Sequence, residues 1–178
     1  DSFLNPICII RDGRDVMVSL YHHMYTGHHG LRESAVEIFR GRAPFGNFEN
    51  IKENMPAFIE YIFTNFKLNG KKMNWKGFTE SFLNKKDVTL VRYEDLLKNT
   101  FAEMERVIHA VTSARLQKAK LEETINRFSF QNQTSRMPGE ENKNSFLRKG
   151  VAKDWKNHFT TEAREVLKHY AGDTLNLL

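Results

Sequence analysis

The residues from Ile7 to Tyr25 constrain the fold of this chain more than any other stretch. The run Ile7-Cys8-Ile9-Ile10 is apolar and mostly β-branched, which predicts a strand buried on both faces, as in a parallel sheet covered by helices. After a turn of sequence R-D-G-R-D, Val16, Leu20 and Met24 recur every four residues and predict one face of a helix. Strand, turn and helix follow one another here, and open α/β sheets bind ligands at such turns. Two arginines and a glycine in the turn indicate an anion.

The rest of the chain predicts one more strand and several helices. Val88–Tyr93 is β-branched and bounded by charged residues, as strands often are. Capping boxes at Ser34 and Thr100 predict two helix starts, and Pro56 suits the first turn of another helix. We expect the last helix to run from about Thr161 to Tyr170 and to end at Gly172.

Two further segments are informative. The polar stretch from Gln131 to Ser145 predicts a mobile surface loop. An aromatic stripe at helical spacing predicts either core or the lining of an acceptor pocket. Its members are Phe58, Ile59, Ile62, Phe63 and Phe66.

Charge and composition narrow the classes of function. The chain has 178 residues, about one domain's worth, and a formal net charge of +5 that favours anionic partners. Its basic residues are scattered and no recognition module is evident, so we expect no nucleic-acid partner. No apolar run approaches the ~18 to 20 residues of a membrane span. The single cysteine, Cys8, excludes an intrachain disulfide, indicates a reducing, cytoplasmic location, and lies where an inert core thiol is expected.

Two sets of titratable residues allow other chemistry. The pairs His22–His23 and His28–His29 suggest a metal, but they lack the i, i+4 spacing and a third ligand. We therefore expect no metal, and interpret them as histidines favoured by the dipole at a helix end. Glu94 and Asp95 could act as general acid and base, or could simply open a helix.

Three segments far apart in the chain form a joint pattern: R-D-G-R-D-V-M-V-S at 11–19, V-R-Y-E-D-L at 91–96, and F-L-R-K-G with D-W-K-N-H-F-T at 146–160. In this order and spacing they closely resemble the cytosolic-type sulfotransferases, enzymes that use 3'-phosphoadenosine 5'-phosphosulfate (PAPS). The resemblance implies a three-layer α/β fold, with a P-loop-like parallel sheet flanked by helices and incomplete at its amino terminus. Residues 1–178 would be the carboxyl-terminal portion of a single sulfotransferase domain.

The resemblance also implies a nucleotide site. Arg11 and Ser19 look like the arginine and serine that hold the 3'-phosphate of the nucleotide, where a guanidinium fork matches a phosphate and a helix hydroxyl can reach the same oxygens. Their alternatives are a surface ion pair and a helix-face hydroxyl. Arg148, Lys149 and Gly150 look like a second phosphate clamp, because two cations answer the charge and glycine lets the backbone approach.

The adenine end of the implied site is aromatic. Tyr93 matches the tyrosine of the Y-E-D segment, and Ser129 and Phe130 look like the stretch that packs against adenine, although Phe130 also suits a core position. Trp155 is expected to anchor the final loop. We expect Asp15, in the same motif as Arg11, to be a helix-start residue.

The segment Lys156–Glu165 resembles the family's K-x-x-x-T-V-x-x-x-E dimer motif, with Thr161 in place of the valine. It predicts either a homodimer contact or a capped surface helix. Family members carry a lysine-bearing 5'-phosphosulfate loop and a catalytic histidine upstream of the arginine motif, and neither has a counterpart in residues 1–10. The catalytic residues are therefore unknown from this sequence.

The resemblance implies transfer of a sulfuryl group from PAPS to a hydroxyl or amine of a small-molecule acceptor. The alternative is a catalytically incomplete fragment or homologue that only binds the nucleotide.

Overall fold

The structure, a computed structural model, describes residues 5–26, 32–68, 70–72, 74–83, 85–112 and 115–177. In chain order its elements are β1 (Ile7–Ile10), α1 (Gly13–Tyr25), α2 (Glu33–Arg42), α3 (Ile51–Thr64), β2 (Lys67–Leu68), β3 (Lys71–Lys72), α4 (Trp75–Leu83), β4 (Thr89–Arg92), α5 (Tyr93–Lys98), α6 (Thr100–Val111), α7 (Lys118–Arg127), α8 (Phe130–Thr134) and α9 (Thr161–Asn176). A 3₁₀ turn, Asp154–Asn157, precedes α9.

The described residues fall into two compact units. Of the described residues, the first unit contains 5–11, 81–83, 85–112, 115–141 and 149–152. The second unit contains 12–26, 32–68, 70–72, 74–80, 142–148 and 153–177.

The first unit contains a parallel pair of strands with helices around it. β1 and β4 pair in register, with Ile7 opposite Thr89 and Ile10 opposite Arg92. Both predicted strands and the α/β class are thus confirmed. The second strand is shorter than predicted because Tyr93 already begins α5.

Burial along β1 differs from the prediction. Cys8 and Ile10 are buried, whereas Ile7 and Ile9 are 49% and 57% exposed. The prediction of a strand buried on both faces is therefore wrong in the part of the chain described, because one face of β1 has no covering element there. Cys8 is a core residue as predicted, and burial raises the pKa of its thiol.

The second unit has a core in which α1, α3 and α9 take part. On α1 the buried side chains are Met17, Val18, Tyr21, Met24 and Tyr25. Of the predicted face only Met24 is buried, because α1 packs on a wider face and leaves Val16 and Leu20 at its margin. The aromatic stripe on α3 belongs to this core, since Phe58, Ile59 and Ile62 are fully buried and Phe63 and Phe66 pack against them.

Several predicted helix boundaries are wrong. Helix α3 begins at Ile51, so Pro56 lies inside it rather than in its first turn. The cap of α6 is Asn99, whose side chain accepts a hydrogen bond from the Ala102 N–H, one residue before the predicted Thr100. Helix α9 passes Gly172 through a kink at Ala171, which has a non-helical φ of −142°.

Helix α2 begins at Glu33, and its N-cap residue is Arg32 rather than the predicted Ser34. The Arg32 side chain makes no capping hydrogen bond. The segment predicted as a mobile loop starts within α8, so it is not a loop throughout. His28 and His29 lie outside the described residues.

Two kinds of site are absent from the described ranges. No group of three or more histidine, cysteine or acidic side chains within them is placed to hold a metal ion. None of the helices there has the length and apolar character to cross a bilayer.

Candidate functional site

Arg11 and Tyr93 meet at the carboxyl end of the parallel strand pair. Because β1 and β4 run parallel with Ile10 opposite Arg92, the residues that follow these two leave the sheet side by side. The Arg11 guanidinium carbon lies 4.6 Å from the centroid of the Tyr93 ring, a cation–π contact. Nη2 of Arg11 also donates a hydrogen bond to the Val151 carbonyl, 3.2 Å away. Residues from three distant segments therefore converge on one guanidinium.

Gly150 and Phe130 make the next contact of this cluster. Gly150 has a φ of +66°, in the left-handed region that favours glycine. A Cβ atom at Gly150 would overlap the Phe130 ring, so the backbone here approaches the ring more closely than any other residue would allow. Since Val151 follows Gly150, the cluster is continuous from Tyr93 through Arg11 to Phe130.

The short helix α8 holds Phe130 in place. Ser129 caps α8 by accepting a hydrogen bond from the Asn132 N–H at 3.3 Å. The Arg136 guanidinium carbon lies 5.1 Å from the centroid of the Phe130 ring, and Nη1 of Arg136 donates to the Glu140 carbonyl at 2.8 Å. Arg136 is a cation of this cluster that the sequence motifs did not indicate.

The first unit thus contains six of the predicted site residues: Arg11, Tyr93, Ser129, Phe130, Lys149 and Gly150. Lys149 is half-buried, and its carbonyl accepts a hydrogen bond from the Gly139 N–H at 2.8 Å. Ser19 and Arg148 belong to the second unit. Ser19 is exposed on α1.

Arg148 makes a close ion pair in the second unit. Its Nη2 donates to Oδ2 of Asp154 at 2.6 Å, and their side chains are 12% and 2% exposed. Asn157 Nδ2 donates to the other oxygen of Asp154 at 3.0 Å. Asp154 opens the D-W-K-N-H-F-T motif, but no role is predicted for it from the sequence.

Asp15 has a tertiary role that its place in the motif did not suggest. It is 1% exposed, and its two carboxylate oxygens accept hydrogen bonds from the Lys153 and Trp155 N–H groups at 2.6 and 2.9 Å. The prediction of a helix-start residue describes its place on α1 but omits this link. Trp155 is buried, with the Arg14 guanidinium carbon 4.2 Å from its ring centroid, which supports the predicted anchoring role.

The other predicted segments have simple local structures. Glu94 and Asp95 lie in the first turn of α5, as expected of carboxylates that open a helix. Thr160 caps α9 by accepting from the Ala163 N–H at 3.1 Å, while Lys156 and Glu165 are exposed. The segment from Lys156 to Glu165 thus comprises most of a 3₁₀ turn and the capped start of α9, and its dimer contact stays a prediction.

The chemical character of the first-unit cluster suits an anionic, planar ligand. A guanidinium offers several N–H donors in one plane, the geometry that pairs with a phosphate. Tyr93 and Phe130 supply aromatic rings, each with a guanidinium over it, and aromatic rings are a kind of surface on which bases stack. Gly150 lets the backbone pass against the Phe130 ring, in the space that a side chain would need.

Comparison with known proteins gives consistent results. The family model described as sulfotransferase domain matches residues 1–178. Sulfotransferase 1E1 of Cavia porcellus is 27% identical over 191 residues, covering 96% of this chain and 56% of that protein. Sulfotransferase 1B1 of Canis lupus familiaris is 25% identical over 187 residues, covering 95% and 55%. The chain thus spans little more than half the length of these relatives.

Solved structures share the fold. Mouse sulfotransferase SULT7A1, complexed with PAP, superposes with a TM-score of 0.63 at 18% identity, covering 97% of this chain and 61% of that one. Retinol dehydratase, in complex with androsterone and inactive cofactor PAP, superposes with a TM-score of 0.62 at 17% identity. The match covers 96% of this chain and 47% of that one. Since the family model matches residues 1–178, the chain belongs to the sulfotransferase domain family.

Proposed function

We propose that this chain supplies the 3'-phosphate-binding half of a sulfotransferase site that transfers a sulfuryl group from PAPS to a hydroxyl or amine of a small-molecule acceptor. By their match to the family motifs, Arg11 and Lys149 of the first unit are assigned to the 3'-phosphate, with Gly150 bringing the backbone close to it. The same motifs assign Ser19 and Arg148 of the second unit to this ligand. Tyr93, Ser129 and Phe130 pack against the adenine. The residues that handle the sulfuryl end are not among those named here.

One observation carries the proposal: the contacts among Arg11, Tyr93, Gly150 and Phe130 within the first unit. The family motifs predicted these residues from separate segments, and the first unit brings them into one chain of contacts. Solved structures with the same fold are complexed with PAP, which is adenosine 3',5'-bisphosphate. They support the same ligand class for this chain, namely this nucleotide and its sulfated form, PAPS.

The chain's own residues have a positional role in this reaction. PAPS supplies the sulfuryl group, and adenosine 3',5'-bisphosphate is the leaving product. Arg11 and the second clamp hold the nucleotide, orient it and balance its charge, which is the main work of protein groups in related phosphoryl transfers.

Calorimetric titration tests the binding proposal. Adenosine 3',5'-bisphosphate should bind much more tightly than adenosine 5'-monophosphate, because a charge-assisted hydrogen bond contributes ~1.5 to 3 kcal/mol, or about 10- to 150-fold in affinity. Arg11→Ala should remove most of this preference. Arg92→Ala is the matched control, since Arg92 is an exposed cation at the end of β4 and should leave the preference unchanged. Equal affinity of the unmodified chain for the two nucleotides would refute the proposal.

A second candidate is nucleotide binding without turnover. The sequence motifs leave this candidate open, because the residues that they identify are assigned to the nucleotide and none is assigned to the sulfuryl transfer. Formation of adenosine 3',5'-bisphosphate from PAPS with a panel of phenol, alcohol and amine acceptors distinguishes the two. Turnover by the 178-residue chain alone would exclude the second candidate. A cytoplasmic location and a homodimer through Lys156–Glu165 remain part of the proposal.

A further inference from the structure

We propose that Asp154 is a positioning residue for nucleotide binding, which holds the Arg148 guanidinium in the orientation that meets the 3'-phosphate. The inference rests on the proposed function, because it assumes that Arg148 binds this phosphate. It starts from the ion pair of 2.6 Å between Arg148 Nη2 and Asp154 Oδ2, in which both side chains are almost removed from solvent. An arginine side chain that is held in this way has few of its rotamers available.

The Asp154 carboxylate is itself held on both oxygens. Asn157 Nδ2 donates to Oδ1 at 3.0 Å, and His158 Nε2 lies 3.3 Å from Oδ2. Asn157 is the last residue of the 3₁₀ turn, and His158 directly follows it. The carboxylate therefore has a defined orientation on a short, tightly wound segment.

Helix α1 fixes the backbone on either side of Asp154. Asp15 accepts hydrogen bonds from the N–H groups of Lys153 and Trp155, the residues that flank Asp154. Lys153 adopts a left-handed φ of +67°, a conformation that a lysine rarely takes without such support. The buried Asp15 thus fixes the backbone around Asp154, and the buried Asp154 holds the Arg148 side chain.

This arrangement has a consequence for affinity. An unrestrained arginine loses rotamer freedom when it closes on a phosphate, whereas a guanidinium that is already held loses less. The opposing effect is that the Asp154 charge offsets the positive charge of Arg148. We infer that positioning is the larger effect, because a guanidinium has five N–H donors and its geometry matches a phosphate only in a defined orientation.

The test compares the affinity of adenosine 3',5'-bisphosphate with that of adenosine 5'-monophosphate by calorimetry. Asp154→Ala should lower the ratio of the two affinities by about tenfold, the size expected when a held arginine becomes unrestrained. It should leave the monophosphate affinity unchanged. Asp154→Asn should recover part of the ratio, because its amide oxygen can still accept from Arg148. Glu103→Ala is the control, since it breaks a more exposed ion pair, with Arg106 in the first unit, at residues that we do not assign to the nucleotide.

A second variant keeps the inference testable if Asp154→Ala does not fold. Arg148→Lys retains the charge but loses the planar fork, so it should lower the ratio almost as far as Arg148→Ala. A lysine variant with the unmodified ratio would overturn the inference, because charge alone would then suffice. An unchanged or raised ratio in Asp154→Ala would overturn it as well.

The outcomes separate this inference from the proposed function. If Arg148→Ala abolishes the preference for the bisphosphate and Asp154→Ala does not, only the positioning role fails. If the unmodified chain has no preference, the proposed function and the positioning role fail together.

Discussion

Replacing Gly150 by alanine tests whether close packing against Phe130 requires a glycine. Gly150 has a φ of +66°, and an added methyl group would overlap the Phe130 ring. We expect Gly150→Ala to lower the free energy of unfolding and to weaken nucleotide binding, because Phe130 must move to make room.

The expected loss in the free energy of unfolding of Gly150→Ala has two contributions. The left-handed conformation costs an alanine about 1 to 2 kcal/mol. Forcing a methyl group into a filled space costs about 1 to 3 kcal/mol more. The sum, about 2 to 5 kcal/mol, is a large fraction of the stability of a domain of ordinary size.

Chemical denaturation of paired variants separates the two parts. Gly70 has a φ of +78°, and no described atom lies within 4 Å of a Cβ built there, so Gly70→Ala should show the conformational part alone. A double-mutant cycle of Gly150→Ala with Phe130→Ala should show a coupling of about 1 to 3 kcal/mol, because removing the ring relieves the overlap.

The binding assay adds an independent readout. Displacement of Phe130 should weaken adenosine 3',5'-bisphosphate and adenosine 5'-monophosphate alike, since both carry the adenine that we place against this ring. If Gly150→Ala costs no more stability than Gly70→Ala, steric overlap with Phe130 is not what selects glycine, and the reasoning is refuted.

Two further predictions concern the core of the second unit. Gly13→Ala should lower the free energy of unfolding by about 1 to 3 kcal/mol in a denaturant titration, because the methyl group would lie 2.7 Å from ring carbons of Trp75. In the control, Gly77→Ala on α4, the added methyl group would meet one described atom, at 3.6 Å. This variant should leave the free energy of unfolding unchanged or raise it. Burial raises the pKa of Tyr25 above its ordinary value. Its contribution to stability is therefore complete below the unfolded pKa of about 10 and is lost as the pH rises above it. Tyr25→Phe should flatten this alkaline decline in an unfolding series, and an equally steep decline in the variant would contradict the assignment.

The sequence predicts the elements of the candidate site better than it predicts their surroundings. The strand at Ile7–Ile10 and the turn after it follow from local composition, and the parallel pairing follows from the expected fold class. Arg11 directly follows one predicted strand and Tyr93 ends the other, so their contact could be predicted from sequence once the two strands were taken as neighbours. Local pattern is informative here because strand propensity and turn chemistry act over a few residues.

The burial of individual residues was harder to predict from the sequence. The β-branched residues Ile7 and Ile9 favour a strand whatever covers them, and only the tertiary structure shows that their face of β1 is exposed. The same limit explains α1, where a four-residue period identifies a helix but not the width of the face that it buries.

What the sequence determined by itself is the family: the motifs around Arg11, Tyr93 and Arg148–Gly150 resemble the sulfotransferases in residue types and spacing, and the family model matches residues 1–178. The tertiary structure decided how those residues are held. Asp15 bonds to N–H groups that lie far along the chain, Asp154 takes its partner from across a turn, and Gly150 must be a glycine because of the Phe130 ring. None of these three roles is encoded in a local pattern, because each depends on which distant group folding places within contact distance.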